Sequence, residues 1–470
     1  MVKTKILVTL GPSICDYDVI RKLVEEGVSG FRINYTQSDR KTWDEWFKII
    51  REVSTSLDKT VSIIGDIPGP QIRIGDFEQY SVNPRDRVLL VYGDKTSDRN
   101  TIPVPIKKFF ETVEIGDIIL LDDGKVILRV IDCDQSANTV EALVLNSATI
   151  LPRKKIVISG KDIELPLLSN RDIELIKYSI DRGVNYIAIS FVRRAEDISS
   201  VRRIIDNYGG FQGIIAKIET RSSVYELDSI VRESDAVLIA RGDLGLHFDL
   251  EKIPLIQREI AKKSIEYSKP CILATQLLES MIHYPRPSRS EVVDIMNAVN
   301  DMVDALLLTS ETAIGKYPVE AVKWLKKIIE VSENNISYDS INSFRNRIKY
   351  VDLRDKHALG LLLLSERIGA KIVIFTKTGF LPSHISRIRP QVDVYVGSNN
   401  KIVAEKLTIY YGLKPFYLSN LEGEIDYDTG VAKLYEYLKK RNELKYGEVV
   451  VEAYSRKEAG IYEIRIKQVV

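Results

Sequence analysis

Gly213-Ile214-Ile215-Ala216-Lys217-Ile218-Glu219 and, one helical segment later, Ala236-Val237-Leu238-Ile239-Ala240-Arg241-Gly242-Asp243-Leu244-Gly245 decide the fold. Each is a short apolar run that ends in charge, so a lysine and two carboxylates collect at the ends of two neighbouring buried strands. Hard divalent cations take oxygen ligands, and Mg2+ is commonly held by one or two carboxylates, with water and substrate phosphate completing its shell. The pattern implies phosphoryl-transfer chemistry.

Six more runs have the same character, at 6–10, 30–34, 61–67, 186–192, 271–276 and 304–312. Most precede a segment of helical period, as at 17–27, 170–183, 221–235, 250–268 and 318–331. Continuous apolar strands alternating with amphipathic helices give a parallel sheet covered by helices, and eight such units predict a (β/α)8 TIM barrel. Nearly every run ends in reactive groups: Arg32 and Asn34, Asp66, Ser190, Lys217 and Glu219, Arg241 and Asp243, Thr275, Thr309 and Glu311. Barrel active sites lie at the carboxyl ends of the strands, so all of these are expected to line one pocket. Between the third run and the fourth the helical period gives way to short β-type stretches and turns, including Asp122-Asp123-Gly124, which predicts a β lid inserted in a barrel loop. After Asn335 a further α/β pattern begins, read as helices at 357–368, 383–389 and 401–411 and strands at 371–375, 392–396, near 448–453 and at 461–468. The expected division is a catalytic barrel at 1–69 and 155–340, a β-barrel lid at 70–154 and a C-terminal α/β domain at 345–470.

Composition excludes several classes of function. The 67 basic and 66 acidic residues are intermixed, which argues against nucleic acid as a partner. Three widely spaced cysteines fit neither a disulfide framework nor a thiolate zinc site. No apolar run reaches the ~18 residues of a membrane span and no leader precedes the first strand, so a cytoplasmic protein is expected.

These motifs occur together in one family. Gly11-Pro12-Ser13, Arg32-Ile33-Asn34, Gly69-Pro70 with Ile72-Arg73, Asp122-Asp123-Gly124, Ser190-Phe191, Lys217-Ile218-Glu219, residues 240–245, Ala274-Thr275-Gln276, residues 285–289 and Ser310-Glu311-Thr312-Ala313 stand in the order and approximate spacing of pyruvate kinase. The chain resembles that family closely to about residue 331 and more loosely beyond. The resemblance implies phosphoryl transfer from phosphoenolpyruvate to ADP, giving pyruvate and ATP, in a cytoplasmic homotetramer whose C-terminal domain commonly takes a phosphorylated effector. It implies Mg2+ or Mn2+ on Glu219 and Asp243. Lys217 is then the charge on the phosphoryl group and the enolate oxygen, and Arg32 and Arg73 are phosphate clamps. The substrate carboxylate falls to the Gly242 and Asp243 backbone and Thr275, with Ser190 nearby. Thr275 lies on the proton path, with Glu311 and Thr309 in a supporting water network; Glu311 as a structural carboxylate pairing with a barrel arginine is the other reading. Pro12, Asn34, Arg73, Asp123 and Lys154 are the nucleotide residues implied, Lys154 lying twelve residues before Pro166. A solvated basic run is the alternative for Arg153-Lys154-Lys155.

Departures from the family pattern cluster beside the site. Tyr35-Thr36-Gln37-Ser38 replaces Phe-Ser-His-Gly, and Ile67, Pro68, Gln71 and Ile74 stand where Thr, Lys, Glu and Thr are usual. Asn34, Thr36, Asp66 and the Ile67 carbonyl can still form a monovalent-cation shell, but the neutral Gln71 removes a charge that accompanies potassium dependence, so weak or absent K+ activation is expected. Ser310 stands at a family glycine, which raises the question of a left-handed backbone there. In the C-terminal domain, Thr376-Lys377-Thr378-Gly379 with Ser383, Arg387 and Arg389 reads either as a phosphate cradle or as an ordinary strand-to-helix turn. Residues 454–462 lack the Trp and Gly-rich loop of members that bind fructose 1,6-bisphosphate. The alternative function is a pyruvate-kinase-like metabolite sensor that has lost turnover, although Lys217, Glu219, Asp243 and Thr275 all remain.

Overall fold

The computed structural model describes residues 2–419, 421, 425–456 and 460–470. Eight strands form the barrel: β1 (Lys5–Thr9), β2 (Val28–Asn34), β3 (Ser62–Ile67), β4 (Tyr186–Ile189), β5 (Gly213–Ile218), β6 (Ala236–Ala240), β7 (Cys271–Ala274) and β8 (Ala305–Leu308). They close in the order β1-β8-β7-β6-β5-β4-β3-β2, with every pairing parallel. Successive side chains on a strand point to opposite faces. Leu7, Ile64, Tyr186, Ala188, Ile215, Leu238, Ile272 and Leu307 therefore fill the barrel, while the alternate residues pack outward against the helices. The same alternation carries Asp66, Ser190 and Lys217 onto the inner face, one step above Ile64, Ala188 and Ile215. Ala188, Ala240 and Ala274 are the small residues beneath the charged layer.

The helices follow the predicted segments with breaks that local chemistry explains. Gly27, at φ 107°, ends the helix Tyr17–Glu26. The predicted helix at 221–235 is two helices, Arg221–Tyr225 and Leu227–Glu233, that meet at Glu226. Pro254 sits in the first turn of Ile253–Glu266, where its missing N–H has no partner to lose.

The inserted segment builds a six-stranded sheet in the order Ile156–Ile158, Ile118–Leu121, Val126–Asp134, Thr139–Val144, Arg87–Tyr92 and Thr101–Val104, with a separate two-stranded pair. Its own apolar core includes Val88, Leu90, Phe109, Phe110 and Leu128. Two details differ from the sequence reading: a short helix, Lys107–Thr112, lies within this unit, and its edge strand runs past residue 154 because Ile156–Ile158 pairs with Ile118–Leu121.

The C-terminal sheet contains β9 (Lys371–Phe375), β10 (Val394–Ser398), β11 (Leu413–Tyr417), β12 (Val449–Arg456) and β13 (Ile461–Gln468), ordered β11-β10-β9-β12-β13. Only β12–β13 is antiparallel. Sequence periodicity missed β11 and the helix Tyr427–Lys440; Pro415 interrupts the first, and Gly430 with dense charge blurs the second. This unit is seated under the barrel. Ile409 joins the residues that fill the barrel, and the Lys5 ammonium donates to the Leu413 carbonyl at 2.5 Å, with burial pushing its pKa down to about 8.

A buried ion pair fixes that seam. Arg389, 1% exposed, sends Nη1 and Nη2 to the two oxygens of Asp304, each at 2.9 Å, and Nη2 also to the Met302 carbonyl. Asp304 further accepts from the Cys271 and Tyr411 backbone N–H groups. Removing one partner of such a pair strands the other charge, so Arg389→Met should destabilise the protein by about 3–5 kcal/mol. A lower urea midpoint is the expected readout, and an unchanged midpoint would contradict the seam's role.

Candidate active site

Strand register brings the charged residues together. Asn34 on β2 lies opposite Asp66 on β3, and Ile189 on β4 lies between Ile67 and Ala216. Asp66, 2% exposed, accepts from Arg32 Nε at 2.6 Å through Oδ2, and its Oδ1 lies 3.6 Å from the Lys217 ammonium. Arg32 Nη1 donates to Thr9 Oγ1 at 3.1 Å. Lys217 donates to Ser190 Oγ at 2.7 Å and stands 3.4 Å from Glu219 Oε2. Ser190 in turn donates to the Ile67 carbonyl at 2.8 Å. Burial alone would lower the Lys217 pKa, but Asp66 and Glu219 outweigh it and raise it, so the ammonium stays charged.

The two carboxylates differ. Glu219 is fully buried; Oε1 accepts the Phe191 N–H at 2.7 Å, while Oε2 has no hydrogen-bond partner among the described residues. Burial pushes its pKa up to about 7, with Lys217 opposing and Asp243 reinforcing the rise. Asp243 belongs to the helix Arg241–His247, and its Oδ1 takes the ammonium of Lys155. Burial would raise its pKa, but Lys155 and Lys217 hold it below the usual carboxylate range. A buried carboxylate oxygen without a donor, beside a second carboxylate, fits a hard divalent cation.

Thr275 closes the floor under strain. Its φ is 70° and that of Gln276 is 53°, a left-handed path that a β-branched residue rarely takes. It is held there because Thr275 Oγ1 accepts the Gly242 N–H at 3.0 Å and Arg241 Nη2 caps the Thr275 and Gln276 carbonyls at 3.0 and 2.9 Å. Asp294 anchors Arg241 at 2.6 Å. Glu311 is 1% exposed and, among the described residues, pairs with no arginine: Oε1 accepts from the Leu278 N–H at 3.0 Å and Oε2 from the Thr309 N–H at 2.7 Å. Ser310 starts the helix Ser310–Ala313 with negative φ and adds no strain; the left-handed Met302, at φ 63°, lies at the other end of β8, in the seam with Arg389.

The structure does not draw every expected residue into this cluster. Among the described residues, no hydrogen bond or ion pair links Pro12, Arg73, Asp123 or Lys154 to it. Arg73 is exposed and donates to the Arg153 carbonyl at 3.1 Å, and Lys154 pairs with Asp122 at 3.1 Å within the lid. It is the next lysine, Lys155, that reaches the site. Sequence reasoning missed it, together with Arg241 and Asp294 as braces for Thr275; Arg153 sits in a turn at φ 60° and Lys155 in an isolated bridge, so the basic run carries no periodic signal of which lysine faces the barrel. Asn34 Oδ1 is occupied by the Thr36 N–H and hydroxyl at 3.0 and 2.9 Å.

In the C-terminal unit, Thr376 Oγ1 accepts the Gly379 N–H at 2.9 Å, and Gly379, at φ 82°, leads into the helix Phe380–Arg387. Thr378, Gly379 and Ser383 border a cavity of about 500 Å³ shared with Tyr186 and Asp235 of the barrel. Lys377 lies over the Tyr427 ring at 5.4 Å. Arg387 and Arg389 do not join this turn: Arg387 binds Asp355 and the Lys349 carbonyl, and Arg389 is the seam residue. Of the segment 454–462, residues 457–459 lie outside the described residues.

Comparison with known proteins decides the family. Residues 1–322 match the model of the pyruvate kinase barrel domain, and residues 359–459 that of the pyruvate kinase alpha/beta domain. The chain belongs to the pyruvate kinase family. It is 37% identical to a pyruvate kinase of Aeropyrum pernix over 98% of both chains, and 36% identical to one of Pyrobaculum aerophilum over 92% of this chain and 91% of that protein. The crystal structure of pyruvate kinase from Pyrobaculum aerophilum superposes with a TM-score of 0.87 at 33% identity, covering 99% of each chain. A pyruvate kinase structure from Cryptosporidium parvum gives 0.92 at 27% identity, over 99% of this chain and 96% of that one.

If Glu219 is a ligand of the divalent cation, its raised pKa makes cation binding in this pyruvate kinase family member proton-linked. Protonated Glu219 cannot ligate, so Mn2+ affinity should rise with pH through about 7 and then level. Calorimetry in buffers of different ionisation enthalpy should find close to one proton released well below pH 7 and almost none above pH 8. Proton release independent of pH would contradict the assignment.

Proposed function

We propose that this site transfers the phosphoryl group of phosphoenolpyruvate to ADP, giving pyruvate and ATP. The observation that carries this reading is the Lys217 ammonium, kept charged between Asp66, Ser190 and Glu219 at the mouth of the barrel. Phosphoryl transfer demands little covalent chemistry from a protein; it demands positive charge and fixed positions. Lys217 stabilises the phosphoryl group in flight and the developing enolate oxygen. Arg32 has Nε on Asp66 and Nη1 on Thr9, which leaves Nη2 for a phosphate oxygen. Glu219 and Asp243 would hold Mg2+ or Mn2+, which when bound supplies Lewis-acid stabilisation of the reacting oxygens.

Thr275 presents its hydroxyl beside the Gly242 N–H for the substrate carboxylate and the enolate proton. Glu311 is a positioning residue in this reading, because its oxygens tie the turns after β7 and β8 together. Arg73, Pro12, Asn34, Asp123 and Lys154 serve the nucleotide from the tethers, the barrel rim and the lid. In the monovalent-cation shell the Asn34 and Ile67 oxygens already carry internal hydrogen bonds and Gln71 is neutral, which supports weak or absent potassium dependence. The cradle at Thr376–Gly379 and Ser383 is proposed for a phosphorylated effector. A cytoplasmic homotetramer is proposed from the family, and the β13 edge, with Ile461, Ile464 and Ile466 exposed, supports association. With Arg32, Lys217, Glu219, Asp243 and Thr275 assembled at the barrel mouth, no observation favours a sensor without turnover.

Pyruvate formation from phosphoenolpyruvate and ADP with Mg2+ tests this directly. Lys217→Met should lower kcat by about 10²–10³ or more. The wild type should run at equal rates in potassium buffer and in sodium or potassium-free buffer. Absent turnover in the wild type would refute the function, retained turnover in the variant would refute the role of Lys217, and a large rate increase with potassium would refute the reading of Gln71.

A further inference from the structure

We propose that Lys155 is a built-in surrogate for the divalent cation: its ammonium holds Asp243 until the cation displaces it, and the displacement loosens the root of the lid. The inference rests on the reading that Glu219 and Asp243 form the cation site. Two sets of contacts meet in this one residue. Its side chain is buried, with the ammonium on Asp243 Oδ1 and 5.6 Å from the centre of the Phe191 ring, whose backbone N–H holds Glu219. The positive charge is thus set where the two carboxylates need neutralising, while Glu219 Oε2 is still without a hydrogen-bond partner among the described residues.

The backbone of Lys155 is where the lid's two tethers cross. Lys155 forms an antiparallel bridge with Arg73, flanked by the Ile74 N–H on the Lys154 carbonyl at 2.9 Å and the Ile156 N–H on the Ile72 carbonyl at 3.1 Å. Its own carbonyl accepts the Asp122 N–H at 3.1 Å, which hangs the hairpin tip of the lid on the same residue. The edge strand Ile156–Ile158 follows immediately.

An ammonium and a divalent cation cannot share one carboxylate oxygen at bonding distance, because like charges repel most where water is excluded. Cation binding therefore requires Lys155 to leave Asp243. A side chain anchored at a tether crossing cannot move far without disturbing the hydrogen bonds around it. Occupancy of the cation site and order at the lid's root become one coupled equilibrium, and the chain's own lysine sets the affinity of the site.

The test uses the full chain without substrate. Mn2+ binding is measured by electron paramagnetic resonance for wild type, Lys155→Met and Lys155→Arg, with hydrogen exchange at the Ile74, Asp122 and Ile156 amides in the presence and absence of Mn2+. Lys155→Met should bind Mn2+ about tenfold or more tightly, equivalent to ~1.4 kcal/mol of relieved competition. Lys155→Arg keeps the cation and should stay near wild type. Mn2+ should speed exchange at the three amides in wild type and not in Lys155→Met. Equal or weaker binding by Lys155→Met, or hinge exchange in wild type that Mn2+ does not change, would overturn the surrogate. Absence of Mn2+ binding in all three proteins would overturn the cation site itself and the surrogate with it.

Discussion

The Asp66 carboxylate, almost fully buried at the end of β3, is the contact on which the site depends. It binds Arg32 and faces Lys217, so one negative charge fixes two cations that would otherwise repel each other. Burying such a charge is unfavourable unless it is paired and hydrogen-bonded, and here the pairing links β2, β3 and β5 through side chains as well as backbone. The barrel is the frame that makes this economical in residues. Alternation places Asp66, Ser190 and Lys217 on one inner level, and the alanines below leave the charges unobstructed.

The charged level is held from two directions. From below, the C-terminal unit fills the barrel's base with Ile409 and clamps Asp304, whose oxygens also hold the start of β7. β7 leads directly into Thr275, so the Arg389–Asp304 pair braces the root of a strand whose far end is the strained turn of the candidate site. From above, the lid meets the barrel mouth through Lys155 on Asp243. The strain at Thr275 persists because Arg241 and the Gly242 N–H fix the turn from outside it.

Much of this was legible in the sequence because parallel strands buried on both faces read as continuous apolar runs, and because a run that ends in charge marks the barrel's open end. Lys217, Glu219, Asp243 and Thr275 were accessible in this way. The C-terminal unit was harder. β11 contains Pro415, and the helix Tyr427–Lys440 carries Gly430, so local signals opposed elements that tertiary packing imposes. Arg387 and Arg389 follow a turn that resembles a phosphate cradle, yet burial sends them to Asp355 and Asp304, which lie far away in sequence. Lys154 and Lys155 are distinguished only by which face of a tether each occupies, and a run of three basic residues does not reveal that register.

The central claim is that one buried carboxylate positions both Arg32 and Lys217 for the phosphoryl group. Steady-state kinetics of Asp66→Asn, which keeps the shape and removes the charge, tests it most directly. The account predicts that kcat/KM for phosphoenolpyruvate falls by about 10² or more, as expected when transition-state electrostatics are misplaced, while the KM for ADP stays within about twofold and the fold persists. Near-wild-type kcat/KM for phosphoenolpyruvate in a folded Asp66→Asn protein would contradict it.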